Sequence, residues 1–347
     1  MSTFNNNKGN NNTKKARTAA GTSAKKVFNR HTAAQVERAV DTNYRKGSYT
    51  IPPVDPLYLV KATDAERASA LKALPIPATE APAILLAIDL GYHRDPRMYA
   101  MHEKQKNLTA EFDLERMDAI LVSYRDGILW VVDGARCLFA AIEAGVSLDK
   151  LPIKMNTGWT REHEAEVYGE QNKNRILVSP GQQYTANLVA KDRTALLVQL
   201  ICKQFNLTVC PSSARNVARP LRAVATAMDI VEGRFGEKSG KYTFSWMLSI
   251  MENVNWFEDR TFLLGAVSSV FLNAFAAVMV EADKAGKITG YTNNLHRTLV
   301  QLSPQLVRAY GRVQYPLMSA QGSTTTILKE IGRGVLKATD ILKVVNL

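Results

Sequence analysis

The chain has 347 residues, of which 46% are hydrophobic and 22% are charged. This length and composition are typical of about two globular domains, and they exclude a disulfide-stapled miniprotein and a fibrous or wholly disordered chain. The formal net charge of +12 is uneven, because residues 1–50 hold ten basic and two acidic side chains, so a polyanionic partner is expected mainly at the N-terminus.

Residues 1–30 predict a disordered basic tail. They are rich in Asn and Lys, contain no acidic residue and lack the apolar residues that a core requires. Cations in such a tail bind nucleic acid without sequence preference. The tail residues expected to do so are Lys14, Lys15, Arg17, Lys25, Lys26 and Arg30. A solubilising extension or a protein-docking arm would have the same composition, and both alternatives stay open.

The compartment follows from two further observations. The first thirty residues have no apolar segment of the kind that a signal peptide contains. The three cysteines are an odd number without a CxxC pair, which favours a reducing environment. We therefore expect a cytoplasmic protein.

Residues 31–80 predict an extended and helical linker region, with helices near 31–41 and 64–74 on either side of a Pro-rich stretch. Asp126-Gly127 lies between two apolar runs and predicts a tight hairpin. The elements predicted after the linker are strands at 84–88, 120–124, 128–132 and 151–155 and helices at 135–144 and 160–173. Together they predict a small α+β domain over residues 81–178.

Residues 179–347 predict an all-α domain. It begins at Ser179-Pro180, where Ser179 and Gln182 have the spacing of a capping box. The helices predicted in this domain are 182–191, 193–205, 214–231, 244–254, 260–283, 294–309 and 325–344. Within them, Thr261–Val280 has no charge and is long enough to cross a bilayer. Its recurring small and polar residues favour a buried core helix, so no membrane partner is expected.

The predicted turn between residues 128–132 and 135–144 is a candidate phosphate site. Asp133-Gly134 ends a strand and leads into a helix, whose first N–H groups have no partner within the helix and favour an anion. Arg136 in the first turn adds a guanidinium suited to phosphate. A second polar cluster, Gln171-Asn172-Lys173-Asn174-Arg175, follows at the end of the helix predicted at 160–173.

The order of these motifs resembles the ParB/sulfiredoxin-like superfamily. The matching stretches are Val131-Val132-Asp133-Gly134-Ala135-Arg136-Cys137, Leu151-Pro152-Ile153, Gln171-Asn172-Lys173-Asn174-Arg175 and Ser179-Pro180, with Tyr92-His93-Arg94 upstream. The resemblance implies a ParB-like mixed domain that binds CTP with Mg²⁺. It implies that Asp133, Gly134, Arg136 and Arg94 line the phosphate pocket, that Asn172 faces the metal, and that Arg175 faces the nucleotide or the partner chain of a homo-oligomer.

The chain departs from the family pattern at three positions. Ala135 stands where the family has Glu in Gly-Glu-Arg-Arg, Cys137 replaces the second Arg, and Gln171 replaces the Glu of Glu-Asn-x-x-Arg. The loss of both carboxylates removes oxygen ligands that Mg²⁺ prefers and any obvious general base. Whether the chain is an NTPase, a nuclease or no enzyme at all is therefore left open by the sequence.

A second candidate nucleic-acid site lies in the helical domain. Arg215, Arg219 and Arg222 have helical spacing and form a basic stripe if the helix predicted at 214–231 continues through Pro220. A solvated or salt-bridged helix face would have the same spacing, and it is the favoured alternative. The leading hypothesis is a ParB-like, DNA-associated protein that also binds a nucleotide. One alternative is a ParB-like nuclease that holds the scissile phosphate, and another is a non-catalytic structural protein with a degenerate ParB-like fold.

Overall fold

The computed structural model describes residues 32–173, 179–209, 219–235, 239–257 and 267–345. The helices before residue 178 are α1 (Ala33–Arg45), α2 (Asp64–Ala73), α3 (Glu103–Ala110), α4 (Ala135–Glu143) and α5 (Arg161–Lys173). The strands of the same region are β1 (Pro56–Tyr58), β2 (Glu80–Ala81), β3 (Leu86–Asp89), β4 (Ile120–Arg125), β5 (Ile128–Asp133) and β6 (Leu151–Thr157). In this described part, the six strands form a mixed sheet in the order β1-β3-β5-β4-β6-β2.

The β4–β5 hairpin confirms the prediction from Asp126-Gly127. The two strands pair antiparallel, with Arg125 opposite Ile128. Asp126 has φ 55° and Gly127 has φ 77°, the two positive values that a primed turn requires. β5 then pairs parallel with β3, so the C-terminal end of β5 lies at the same edge of the sheet as the end of β3.

Successive residues of β5 pack into different hydrophobic cores because successive side chains of a strand point to opposite faces of the sheet. Val131 packs with Leu138 of α4, in a core that also contains β3 and β4 residues. Val132 packs with Tyr168 of α5 on the other face, in a small cluster that includes residues of the first helix after 178. The sheet is therefore covered by α4 on one face and by α5 on the other.

The later elements are mostly helical. They are α6 (Pro180–Val189), α7 (Arg193–Gln204), β7 (Thr208–Val209), β8 (Pro220–Leu221), α8 (Val224–Val231), α9 (Gly240–Asn253), α10 (Ser269–Lys284), α11 (Ile288–Leu299), α12 (Pro304–Gln314), α13 (Ala320–Arg333) and α14 (Ala338–Val345). The chain therefore has an α+β fold, in which a sheet-containing part is followed by helices. The capping box predicted at Ser179 is confirmed, with Pro180 in the first turn of α6.

Three helix predictions are corrected by the structure. Within the described residues of 214–231, the helix begins only at Val224, because Pro220–Leu221 form β8 and pair parallel with β7. The helix predicted at 294–309 is two helices, α11 and α12, since Ser303 caps a new helix with Pro304 in its first turn. The helix predicted at 325–344 also divides, at Gly334, whose φ of 80° ends α13.

The helices after residue 178 share one large core. α10 buries Phe271, Leu272 and Phe275 there, and α1 adds Val36 and Val40 to the same cluster. The predicted linker region is thus divided, because α1 joins the helical core whereas β1 and β2 join the sheet. Among the described residues, no helix combines the length and the apolar character that a membrane crossing needs.

Candidate anion-binding site

The turn between β5 and α4 is built for close backbone approach. Gly134 is the N-cap of α4 and has φ 93°, a conformation that L side chains rarely adopt. A Cβ at this position would lie 3.3 Å from the Cα atom of Ile120. Gly134 has no side chain with which to cap the first turn of α4. Its positive end therefore faces the space beyond the strand.

A cavity of about 360 Å³ opens at this turn. It is lined by His93, Arg94, Pro96, Lys104, Leu108, Asp133, Gly134, Ala135, Arg136, Cys137 and Tyr168. Three of the lining side chains are basic, those of Arg94, Lys104 and Arg136, and one is acidic, that of Asp133. The excess of positive charge beside the start of a helix favours an anionic ligand. The structure thus places Arg94, Asp133, Gly134 and Arg136, four of the residues predicted from the sequence, in one cavity.

Arg136 is held by a residue that the sequence reasoning missed. Its Nε donates to Oε1 of Gln105 at 2.9 Å, and Nε2 of Gln105 donates to the Arg136 carbonyl at 3.2 Å. Gln105 is only 1% exposed. Among the described residues, the Arg136 guanidinium donates one hydrogen bond, and its donor is Nε. The two terminal nitrogens therefore keep donors for a ligand in the cavity.

No local pattern points to Gln105. It lies on α3, a short helix with polar neighbours, and is 31 positions from Arg136 in the sequence. The same helix contributes Lys104 and Leu108 to the cavity wall. A buried glutamine with both ends of its amide satisfied by one arginine is recognised only once α3 and α4 are seen side by side.

Arg94 forms part of the opposite wall and is 8% exposed. Its Nη1 donates to the hydroxyl of Tyr99 at 3.0 Å, and the guanidinium carbon lies 5.1 Å from the centre of the Tyr99 ring. Tyr99 ends a short helix, Pro96–Tyr99, that begins at the cavity. A buried guanidinium fixed in this way is preorganised for an anion, since little side-chain entropy remains to be lost on binding.

His93 and Tyr168 form a neutral aromatic part of the wall. Their ring centres are 4.3 Å apart, and Nδ1 of His93 lies 2.9 Å from the Arg94 carbonyl, to which it donates. Burial lowers the pKa of His93 to about 4, and burial raises the pKa of Tyr168 to about 12. Both rings are therefore uncharged at pH 7, and the positive charge of the wall comes from the arginines and the lysine.

Tyr168 is positioned by two buried ion pairs that attach α5 to the sheet. Glu164 accepts from Nε of Arg125 at 3.0 Å and from its Nη2 at 3.2 Å. Arg161 donates from Nε to Asp89 at 2.7 Å. Both carboxylates are fully buried. The hydrogen-bonded pairs fix the rotation of α5, which carries Tyr168 one turn after Glu164.

Two predicted site residues cannot be placed by their side chains. Asn172 lies in the last turn of α5, one turn after Tyr168, but its side chain is outside the described residues. Arg175 lies wholly outside them. Among the residues that the structure describes, no group of three or more His, Cys, Asp or Glu side chains could hold a metal ion.

The predicted nucleic-acid residues are not brought together. Arg215 and the six tail residues named above lie outside the described part of the chain. Arg219 has φ 47° and donates from Nη1 to the Phe205 carbonyl at 3.2 Å. Arg222 is exposed two positions after β8 begins. Because residues 219–221 are not helical, Arg219 and Arg222 do not form the predicted helical stripe.

Comparison with known proteins finds a family model, and its match covers most of the residues of the candidate site. A model described as a family of unknown function (DUF6551) matches residues 95–254, which include the cavity residues from Pro96 to Tyr168 but not His93 or Arg94. Neither a curated protein nor a solved structure matches the chain.

Proposed function

We propose that this chain is a ParB-like, DNA-associated protein of the cytoplasm that binds a nucleotide by its phosphates at the β5–α4 turn. The observation that carries the proposal is the cavity in which Arg94, Lys104 and Arg136 lie around the start of α4. Helix starts and bidentate guanidinium groups are the usual protein partners of phosphate. CTP with Mg²⁺ is the first candidate ligand, on the strength of the family resemblance.

The remaining walls favour a ligand larger than free phosphate. Leu108 and the neutral rings of His93 and Tyr168 offer apolar and aromatic surface for a sugar or a base. The carboxylate of Asp133 can accept a hydrogen bond from a hydroxyl or amino group of the ligand. A volume of about 360 Å³ is within the range of small-molecule sites.

The proposal concerns binding and assigns no hydrolysis. The family carboxylates are replaced by Ala135 and Gln171, and Asp133 is the one carboxylate among the described residues that line the cavity. Hydrolysis of a phosphoanhydride would require a placed general base or metal-held water. The proposal includes control of homo-oligomer assembly by the bound nucleotide, since the family resemblance implies it.

Calorimetric titration of the full chain with CTP, ATP, GTP and UTP, each with and without Mg²⁺, tests nucleotide binding. We expect the unaltered chain to bind, and Arg136→Ala to weaken binding by at least about tenfold, because a charge-assisted hydrogen bond contributes about 1.5–3 kcal/mol. Arg116→Ala is the matched control, since the Arg116 side chain is 87% exposed and lies outside the cavity. Absence of binding by any nucleotide would refute the proposal.

DNA association is tested separately with the basic tail. Removal of residues 1–30 takes away seven cations and no acid. Each phosphate contact that is lost reduces the slope of log K against log salt by about 0.9. We expect weaker binding and a flatter salt dependence, measured by fluorescence anisotropy on a duplex of about 24 base pairs. Unchanged affinity and slope would exclude the tail as a DNA contact.

A further inference from the structure

A second concentration of positive charge lies at the C-terminal end of the chain. Residues 284–347 contain nine Lys and Arg and two Asp and Glu, a formal charge of +7. Residues 51–283 contain 25 basic and 28 acidic side chains. The body of the protein is therefore slightly acidic up to α10, and its basic character is concentrated in the last helices.

Part of this charge is arranged along a shallow groove of about 470 Å³ between the start of α11 and the end of α13. Lys287 and Arg333 line it from the two sides. Nδ2 of Asn294 donates to the Gly332 carbonyl at 2.9 Å and so holds α11 against α13. Asn294 and Arg297 differ by three residues and therefore share one face of α11. Arg297 thus continues the line of charge beyond the groove.

The exposed cations here are available to a partner. Lys284, Lys287, Arg297 and Lys337 are exposed, and none has an ion pair with a described residue. By contrast, Arg333 donates from Nε to Glu281 at 2.6 Å, and Lys329 lies 3.4 Å from the same carboxylate. Glu281 is therefore already neutralised by residues of α13. Asp283 also lines the groove and offsets part of its positive charge, but the four exposed cations leave an excess of positive charge facing solvent.

The floor of the groove allows close approach. A Cβ at Gly290 would meet no atom within 4 Å, so this position leaves open space. The exposed side chains that line the groove, those of Lys287, Thr289 and Arg333, are all polar, whereas Ile288 is half-buried and Tyr291 is buried. The exposed groups can donate to hydrated phosphate oxygens.

We propose that this groove, together with the exposed Lys284 that precedes it in the chain and Arg297 further along α11, contacts the phosphate backbone of a nucleic acid. The proposal rests on the DNA association proposed above and assigns it a surface on the helical part. Residues 287–297 span about 15 Å of helix at 1.5 Å per residue. This length corresponds to about four base-pair steps of 3.4 Å, enough for contact with several successive phosphates.

The test uses the full chain and a triple variant, Lys284→Gln, Lys287→Gln and Arg297→Gln. A variant with the same loss of charge at exposed positions on the sheet side, Lys61→Gln, Lys72→Gln and Arg116→Gln, is the matched control. Anisotropy is measured with duplex DNA and with single-stranded RNA of equal length over a range of salt. We expect the groove variant to lose at least about tenfold in affinity at 100 mM salt and its slope to fall by about 0.9 per contact.

The outcomes separate this proposal from the proposed function. If the groove variant binds as the control variant does, the groove is not the contact, although DNA association stands. If the unaltered chain binds neither nucleic acid, the groove proposal and the proposed DNA association are both overturned, whereas nucleotide binding at the β5–α4 turn is tested by the titration above. Binding to vesicles that contain phosphatidylserine is measured in parallel. If the groove variant loses binding to these vesicles but to neither nucleic acid, the groove is a lipid-facing surface and the proposal is wrong. Lys287→Glu, a single exposed change, provides the same comparison should the triple variant fold poorly.

Discussion

Replacement of Gln105 by methionine tests whether Arg136 is preorganised for an anion. Methionine has a similar length but neither the acceptor nor the donor that Gln105 offers to Arg136 at 2.9 Å and 3.2 Å. The freed arginine regains about 0.5–1.5 kcal/mol of side-chain entropy that a ligand must then remove. Since 1.4 kcal/mol corresponds to a factor of ten, we predict a loss of up to about tenfold in nucleotide affinity in Gln105→Met.

The assay is a double-mutant cycle measured by calorimetry on the unaltered chain, Gln105→Met, Arg136→Ala and the double variant. If Gln105 acts through Arg136, its substitution has no further effect once Arg136 is alanine. Gln321→Met, at an exposed position of α13, is the control for the change of residue type. Equal losses in both backgrounds, or no loss in Gln105→Met, would refute the reasoning. Thermal melts of all four proteins establish that each is folded at the temperature of the titration.

Three further predictions concern the supports of the cavity. Arg125→Met and Glu164→Gln should each lower the free energy of unfolding in urea by about 3–5 kcal/mol, because each single change leaves a buried partner unpaired. The double variant should lose less than the sum of the two single losses, and additive losses would contradict this. The pKa of His93 is about 4 in the folded chain and about 6.5 in the unfolded chain. The unfolded chain therefore binds more protons below pH 6.5, and the free energy of unfolding decreases as the pH is lowered. The unaltered chain should lose about 2 kcal/mol more than His93→Gln between pH 7 and 5; parallel pH profiles would exclude this role. Gly134→Ala should lower the melting temperature of the chain more than Gly145→Ala does, since both glycines have positive φ but only Gly134 faces a close neighbour. Equal melting temperatures would show that Ile120 moves to accommodate the added methyl group.

Helix boundaries show where local signals were used and where they were missed. Ser179-Pro180 predicted the start of α6, and its capping box is present. Ser303-Pro304 has the same arrangement and starts α12, yet the sequence reasoning continued one helix through it. The helix predicted at 214–231 is wrong for another reason. Pro220 lies within an apolar pattern of helical period, whereas its backbone forms part of β8. Strand pairing between residues twelve positions apart, as in β7 and β8, is not visible in a helical periodicity.

The sequence by itself determined the α+β class, the β4–β5 hairpin and the turn at Gly134. Each of these depends on the backbone preferences of a few adjacent residues, which act before any long-range contact forms. Only the tertiary structure decided which side chains surround that turn. Gln105 and Lys104 come from α3, which packs beside α4, whereas Tyr168 comes from α5, which covers the other face of the sheet. The same holds for Arg219, whose guanidinium is turned inward to the Phe205 carbonyl. Spacing along a chain gives the direction of a side chain on its own element, whereas the partner depends on how the elements pack.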